Sequence, residues 1–184
     1  MFGEYIPFGK MFPFLEEIAP MSSIEFGHEF ITYKINGVNI APNICFETTV
    51  PHLIRRQMDE LSITGQEPDV MINLTNDGWF FGTACLDHHF ACNIFRAVEM
   101  RKPNLVCANT GLSAHVDAYG RLCSVGPRRD AAVLQATIKK HPDRSIYRTI
   151  GDWPPFVFGW ISLIALLSGF WLPKKTEFNN EPER

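Results

Sequence analysis

Three short apolar runs constrain the fold class more than anything else in the sequence. Val38–Cys45, Val70–Leu74 and Asn104–Ala108 have the length and composition of strands. The stretches between them repeat apolar residues at helical spacing: Leu53, Ile54, Met58 and Leu61 within Thr49–Leu61, then Phe90, Ile94, Ala97 and Val98 within Leu86–Arg101. Strands separated by helices belong to crossover-connected sheets, and the largely apolar Val70–Leu74 has the pattern of a strand buried on both faces. Further strands are expected at Phe30–Ile35, Ser113–Ala118 and Ala131–Ile138. Asn36-Gly37 between the first two extended runs signals a hairpin, because both residues tolerate positive φ, and Tyr119-Gly120 marks a turn. Pro51 suits the first turn of a helix, where its missing N–H has no partner to lose. Alternation followed by a run of strands predicts an α/β sandwich, preceded by an irregular, Pro- and Phe-rich segment over residues 1–22.

Length and charge narrow the class. At 184 residues, one main domain is expected, over residues 1–150. Seventeen basic and 20 acidic residues give a net charge of −3, which argues against a nucleic-acid partner. Five cysteines, an odd number without a Cys-x-x-Cys pair, argue against a disulfide scaffold. The opening MFGEYIPFGKMFPF lacks the basic region and apolar stretch of a signal peptide.

The last segment changes character. Phe156–Leu172 runs 17 residues without a charge, with Trp153, Trp160 and Trp171 placed as interfacial anchors and Lys174-Lys175 directly after. At about 1.5 Å per residue it spans roughly 26 Å, against a hydrocarbon core of roughly 30 Å. A membrane span over 154–173 with a charged cytoplasmic tail over 174–184 is expected; the alternative is a buried core helix.

Four groups of residues carry chemistry. Cys45, at the end of a strand and before a helix, sits where a thiol meets helix-end N–H groups, which suits a nucleophile. A buried structural cysteine is the competing reading, and Cys85, Cys92, Cys107 and Cys123 are read as structural. Glu4, among Phe2, Pro7 and Phe8, is either a raised-pKa acid or base or an ordinary surface glutamate. Asn73–Phe80 (NLTNDGWF) ends a strand on the side where α/β sites form; its Asn and Asp side chains also suit a purely structural turn. Cys85, Asp87, His88, His89 and Cys92 are metal-ligand types, but their spacing matches no standard zinc arrangement, so neither metal nor cofactor is expected.

Taken together, FGEYIPF, ICFE, NLTNDGWFFG, RAVEMRKPNLVCANTGLSAHVDAYGR and GDWP before an apolar helix resemble the nitrilase superfamily, and within it the C-terminal part of bacterial apolipoprotein N-acyltransferases. The resemblance implies the C-terminal portion of a four-layer αββα sandwich, with the first half absent and apolar faces uncovered, and ping-pong acyl transfer. A cysteine takes an acyl chain from a phospholipid as a thioester and gives it to the α-amino group of a diacylglyceryl-cysteine lipoprotein. Carried over by position, Cys45 matches the nucleophile, Glu4 an additional essential carboxylate and Glu47 a supporting one. Phe46 stands where its backbone N–H would join the oxyanion hole, and Trp79 and Phe80 match the loop bordering the acyl site. The family's lysine lies shortly before the FGEY motif and its triad glutamate further upstream, both ahead of Met1. A fragment that is nearly inactive alone is therefore expected, arising from a misplaced start, a split gene whose N-terminal half is a partner, or a remnant. The implied location is the periplasmic face of the inner membrane. A soluble carbon–nitrogen hydrolase is the rival activity.

Overall fold

The computed structural model describes residues 27–171, and the chain divides into two units between Gly151 and Asp152. The irregular segment expected over residues 1–22 lies outside the described residues.

The first unit is built on one six-stranded mixed sheet in sequential order. β1 (Tyr33–Ile35) and β2 (Val38–Ile44) form the expected hairpin, with Asn36 and Gly37 both at positive φ, 49° and 78°. Two left-handed residues give the turn whose twist matches that of the strands it joins. β2 runs parallel to β3 (Val70–Asn76), pairing Ile40 with Val70 and Ile44 with Leu74, and β3 runs parallel to β4 (Asn104–Asn109). β5 (Ala114–Val116) and β6 (Leu122–Val125) add antiparallel strands beyond β4. Parallel neighbours need crossovers, and these are α1 (Pro51–Ile63) and α2 (Cys85–Met100).

α1 starts at Pro51 and buries Ile54, Met58 and Leu61, a stripe at i, i+4 and i+7, against Ala41 of β2 and Met71 of β3. Each such side chain contributes about 1.5–3 kcal/mol on burial. α2 ends where Arg101 takes φ 54° and the Lys102 N–H returns to the Ala97 carbonyl. Its inward face is Leu86, His89, Asn93, Arg96, Ala97 and Met100; of the apolar pattern Phe90, Ile94, Ala97 and Val98, Ala97 lies on it. The inward face is half polar because it meets a polar strand face. Asn73 of β3 donates to Asn93 Oδ1 at 2.9 Å, and Asn104 of β4 donates to the same oxygen at 3.0 Å.

The remaining strand expectation, Ala131–Ile138, is corrected. That segment is irregular and largely exposed, Val133 almost completely, while Leu122–Val125 takes the place beside β5. Of the αββα layers that the resemblance implies, the described residues hold one sheet with its helices on one face. Ala41, Asn43, Met71, Asn73 and Thr75 are buried on its helix-bearing face, and Ile44 and Leu74 on the opposite face are about half exposed. Last comes α3 (Ile146–Ile150), capped by Ser145 Oγ, which accepts from the Arg148 N–H. It seats the fully buried Arg148, whose guanidinium donates to both carboxylate oxygens of Glu67 at 2.7 and 3.0 Å and to the Met58 carbonyl.

The second unit holds α4 (Trp153–Trp171), with two prolines in its first turn and exposed apolar residues including Phe158, Trp160, Ile164 and Leu167. Among the described residues no helix is long and apolar enough to cross a membrane, so the span expected over 154–173 is not supported there.

Candidate active site

The parallel strands β2, β3 and β4 end together, and the loops that leave them form the site. β2 ends at Ile44, and Cys45 follows with φ 48°, opening a 3₁₀ turn over Cys45–Thr49. A left-handed, non-glycine residue persists only where its surroundings over-determine it. Here they do. Glu47 reaches back to accept from the Ile44 N–H at 2.7 Å, and the Thr49 hydroxyl donates to the Phe46 carbonyl at 2.7 Å. From below, Asn73 Nδ2 donates to Thr48 Oγ1 and Arg96 Nη1 to the Thr48 carbonyl. The sharp strand-to-helix turn expected at Cys45 is present, and its thiol is half-buried and free of disulfides.

β3 supplies the opposing wall. Its inward residues alternate Met71, Asn73, Thr75, passing from core to amide network to site. Thr75 Oγ1 donates toward Cys45 Sγ at 3.3 Å and lies 2.8 Å from Asp77 Oδ1. Asp77, buried at the start of a second 3₁₀ turn (Asp77–Phe80), also meets His89 Nδ1 at 2.9 Å. His89 Nε2 lies 3.1 Å from the Cys45 carbonyl oxygen, which closes the circuit. The ring of Phe46 stacks on His89 at 6.4 Å, and Phe80 meets it edge-on at 5.9 Å. Gly111 packs so close to Asp77 that a Cβ there would sit 2.0 Å from Oδ2.

Of the residues singled out from the sequence, Cys45, Phe46, Glu47 and Phe80 are brought together. Trp79 sits on the same turn with two-thirds of its surface exposed, and Glu4 lies outside the described residues. The Asn76 side chain holds its loop as expected, accepting from the Gly78 N–H at 3.2 Å. Sequence reasoning took Thr75 only as part of the 73–80 loop and His89 only as a metal-ligand type, and missed their place beside Cys45. The available signal was the two-residue period Asn73, Thr75, Asp77 with a histidine one turn into the next helix. The residues weighed as metal ligands do not converge. Cys85 is exposed, His89 faces Asp77, and among the described residues no group of three or more His, Cys, Asp or Glu side chains is placed to hold a metal ion.

Beside the second turn a cavity of about 320 Å³ is walled by Asp77, Phe81, Leu86, Thr110 and Arg129. Chemically, the arrangement offers a thiol on a strained turn with a hydroxyl donor at its sulfur. Among the described residues, Thr75 Oγ1 is the hydrogen-bond partner of Sγ.

No protein-family model matches the chain. Curated relatives do. The chain is 31% identical over 180 residues to the apolipoprotein N-acyltransferase of Rhodopirellula baltica, covering 95% of this chain and 32% of that protein. It is 32% identical over 182 residues to the enzyme of the same name from Vibrio parahaemolyticus, covering 96% of this chain and 34% of the relative. The chain thus spans about a third of the length of the curated relatives it matches. An amidase from Nesterenkonia shares its fold with a TM-score of 0.51 at 13% identity, covering 77% of this chain and 51% of that one. A second structure of that amidase describes it as a member of the nitrilase superfamily. The resemblance carried by the sequence motifs therefore holds over nearly the whole chain, on the fold of carbon–nitrogen hydrolases.

Proposed function

We propose, from its kinship with apolipoprotein N-acyltransferases, that this chain carries the nucleophile half of a lipid-to-amine acyl-transfer site. The observation that carries the reading is Cys45: a thiol on a left-handed turn at the end of a parallel strand, with the Thr75 hydroxyl at its sulfur. Attack of the thiolate on a phospholipid ester carbonyl forms a carbon–sulfur bond and breaks the ester carbon–oxygen bond. The lysophospholipid leaves as an alcohol after taking a proton. The α-amine of a diacylglyceryl-cysteine peptide then attacks the thioester; a carbon–nitrogen bond forms, the carbon–sulfur bond breaks, and the thiolate returns. The proton transfers need a general acid/base and the intermediate a cationic partner. The resemblance assigns these to a glutamate and a lysine, and among the described residues neither type is hydrogen-bonded to Sγ. Loss of a general base costs roughly 10²–10⁴ in rate, and slow turnover of the chain by itself is part of this proposal.

The proposal extends to location. The uncharged run Phe156–Leu172 and the exposed apolar side chains of α4 suit contact with lipid, with the first unit on the periplasmic side of the inner membrane. Glu4 is proposed as a further carboxylate of the site. Residues 1–150 are proposed as the partial nitrilase-like domain, and a separately encoded N-terminal half as a partner.

The test is to incubate the 184-residue chain with phospholipid vesicles and a diacylglyceryl-cysteine peptide, and in parallel with p-nitrophenyl butyrate. The expected result is a stoichiometric acyl adduct on Cys45 from the activated ester and slow transfer to the peptide. Absence of any Cys45 adduct would overturn the acyl-transfer reading, and rapid peptide acylation abolished by Cys45→Ala would overturn the slow-turnover half. The amidase-like fold favours one second reading, hydrolysis with water as acceptor. Release of free acid in place of acylated peptide would select it.

A further inference from the structure

Asp77 and His89 are buried, ionisable, and unused by the steps above. With Cys45 they have the composition of a Cys–His–Asp triad, but the ring points elsewhere. Nε2 meets the Cys45 main-chain oxygen at 3.1 Å, while Sγ is partnered by Thr75. His89 is therefore not placed to take the thiol proton.

What the ring does hold is the peptide group joining Cys45 to Phe46. That unit's oxygen is the one facing Nε2, and its N–H is the Phe46 N–H, the group assigned to the oxyanion hole. Both ring nitrogens face acceptors, Asp77 Oδ1 at 2.9 Å and the Cys45 carbonyl at 3.1 Å. A carbonyl oxygen can only accept, so the contact at Nε2 is made by an Nε2–H, while Nδ1 is held by Asp77. A donor on an amide oxygen polarises the amide and strengthens its N–H as a donor, and a low local dielectric enlarges the effect. The environment is suitably dry: His89 and Asp77 are each at least 95% buried, and Phe46 and Phe80 cover the ring.

We propose that His89, oriented by Asp77, is a positioning residue that strengthens the Phe46 N–H as an oxyanion donor through the Cys45–Phe46 peptide. The inference deepens the acyl-transfer reading and rests on it. It separates two reactions of one sulfur. Alkylation by iodoacetamide needs the thiolate but develops no oxyanion, whereas acylation by p-nitrophenyl butyrate needs both.

The test follows both rates at Cys45 by peptide mass spectrometry on the full chain. Removing an oxyanion donor outright costs roughly 10²–10³, so weakening one is expected to cost about tenfold. His89→Leu is expected to slow acylation about tenfold while alkylation stays within about twofold. His89→Gln, which keeps an N–H for the carbonyl, restores part of the difference. Equal losses in both rates would mean a merely structural role and overturn the inference; so would an unchanged ratio in folded protein.

Nitrogen NMR of the chain gives a second, independent reading. The His89 Nε2 should carry a hydrogen, and Asp77→Asn, which keeps the shape, should move the Phe46 amide resonance toward a less polarised N–H. A bare Nε2, or an unmoved Phe46 signal, would overturn the inference even if the His89 variants fail to fold. Wild-type chain that is alkylated normally and never acylated would overturn the acyl-transfer reading instead, and the two NMR results would then decide the polarisation of the peptide by themselves.

Discussion

The two ends of the parallel strands bury polar groups in different ways. Where β3 and β4 begin, charges are directly paired: Arg148 and Lys102 both reach Glu67, Arg148 also reaches Asp59, and Lys140 reaches Asp69, which also accepts from the Asn39 N–H. Where the strands end, the groups around Cys45 form a circuit of single hydrogen bonds through Thr75, Asp77 and His89, and the backbone is held at a positive φ. One end spends its polar groups on holding elements together, the other on holding one side chain in a costly conformation. The difference teaches where change is tolerated. Mutations at the beginning of the strands should read out as stability, and mutations at their ends as reactivity.

The largest expected effect breaks the reactive end. Cys45→Ala should eliminate the thioester adduct completely while the melting temperature stays within a few degrees, measured by mass spectrometry and circular dichroism. The next breaks the other end. Arg148→Met leaves Glu67 without its bidentate partner and is expected to cost about 3 kcal/mol, toward the low side of the range for buried pairs because Glu67 is 37% exposed. That corresponds to a melting temperature lowered by roughly 6–12 °C, with Cys45 alkylation unchanged at temperatures where the chain stays folded.

Asn73→Ala tests the layer between the two ends. It removes the donor to Thr48 and Asn93 and should destabilise by about 1–3 kcal/mol, raising the accessibility of Cys45 because Thr48 anchors its turn. A pH titration sharpens the comparison further. Burial raises the Glu67 pKa, but the hydrogen bonds from Arg148 and Lys102 outweigh it and hold the carboxyl at about 2, against 4.5 ordinarily. A lowered folded-state pKa means stability that is fully present above about 4.5 and lost as pH falls toward 2. Chemical denaturation across that range should show the loss, and Arg148→Met should flatten it. The smallest effect belongs to the surface: Arg56→Ala, which breaks the exposed pair with Glu60, should change stability by less than about 0.5 kcal/mol.

How much of this was legible depends on which interactions are local. The β1–β2 hairpin, α1 and the turn at Cys45 rest on near-neighbour chemistry, Asn36-Gly37, Pro51 and Glu47, and they were readable. The inward face of α2 was misread because apolar periodicity was the guide, while the strand face above it carries Asn73 and Asn104. Ala131–Ile138 has strand-like composition, but strand formation requires a partner edge, and β6 occupies the one beside β5. Cys45 was found as a lone residue on a turn. His89 was weighed only as a metal-ligand type, because its contact with Cys45 spans 44 positions and ends on a backbone oxygen, which no side-chain pattern records.

The half-exposed end of the sheet's outer face, at Ile44 and Leu74, begins one residue before the nucleophile. Ile44 looks outward on that face, and its peptide leads directly into the left-handed turn that aims the sulfur. Pressure on Ile44 is therefore leverage on Cys45. Any substitution or surfactant that loads that flank will register as a change in thiol kinetics before it registers as a change in melting, which makes the sulfur a built-in gauge for contacts on the open side of the sheet.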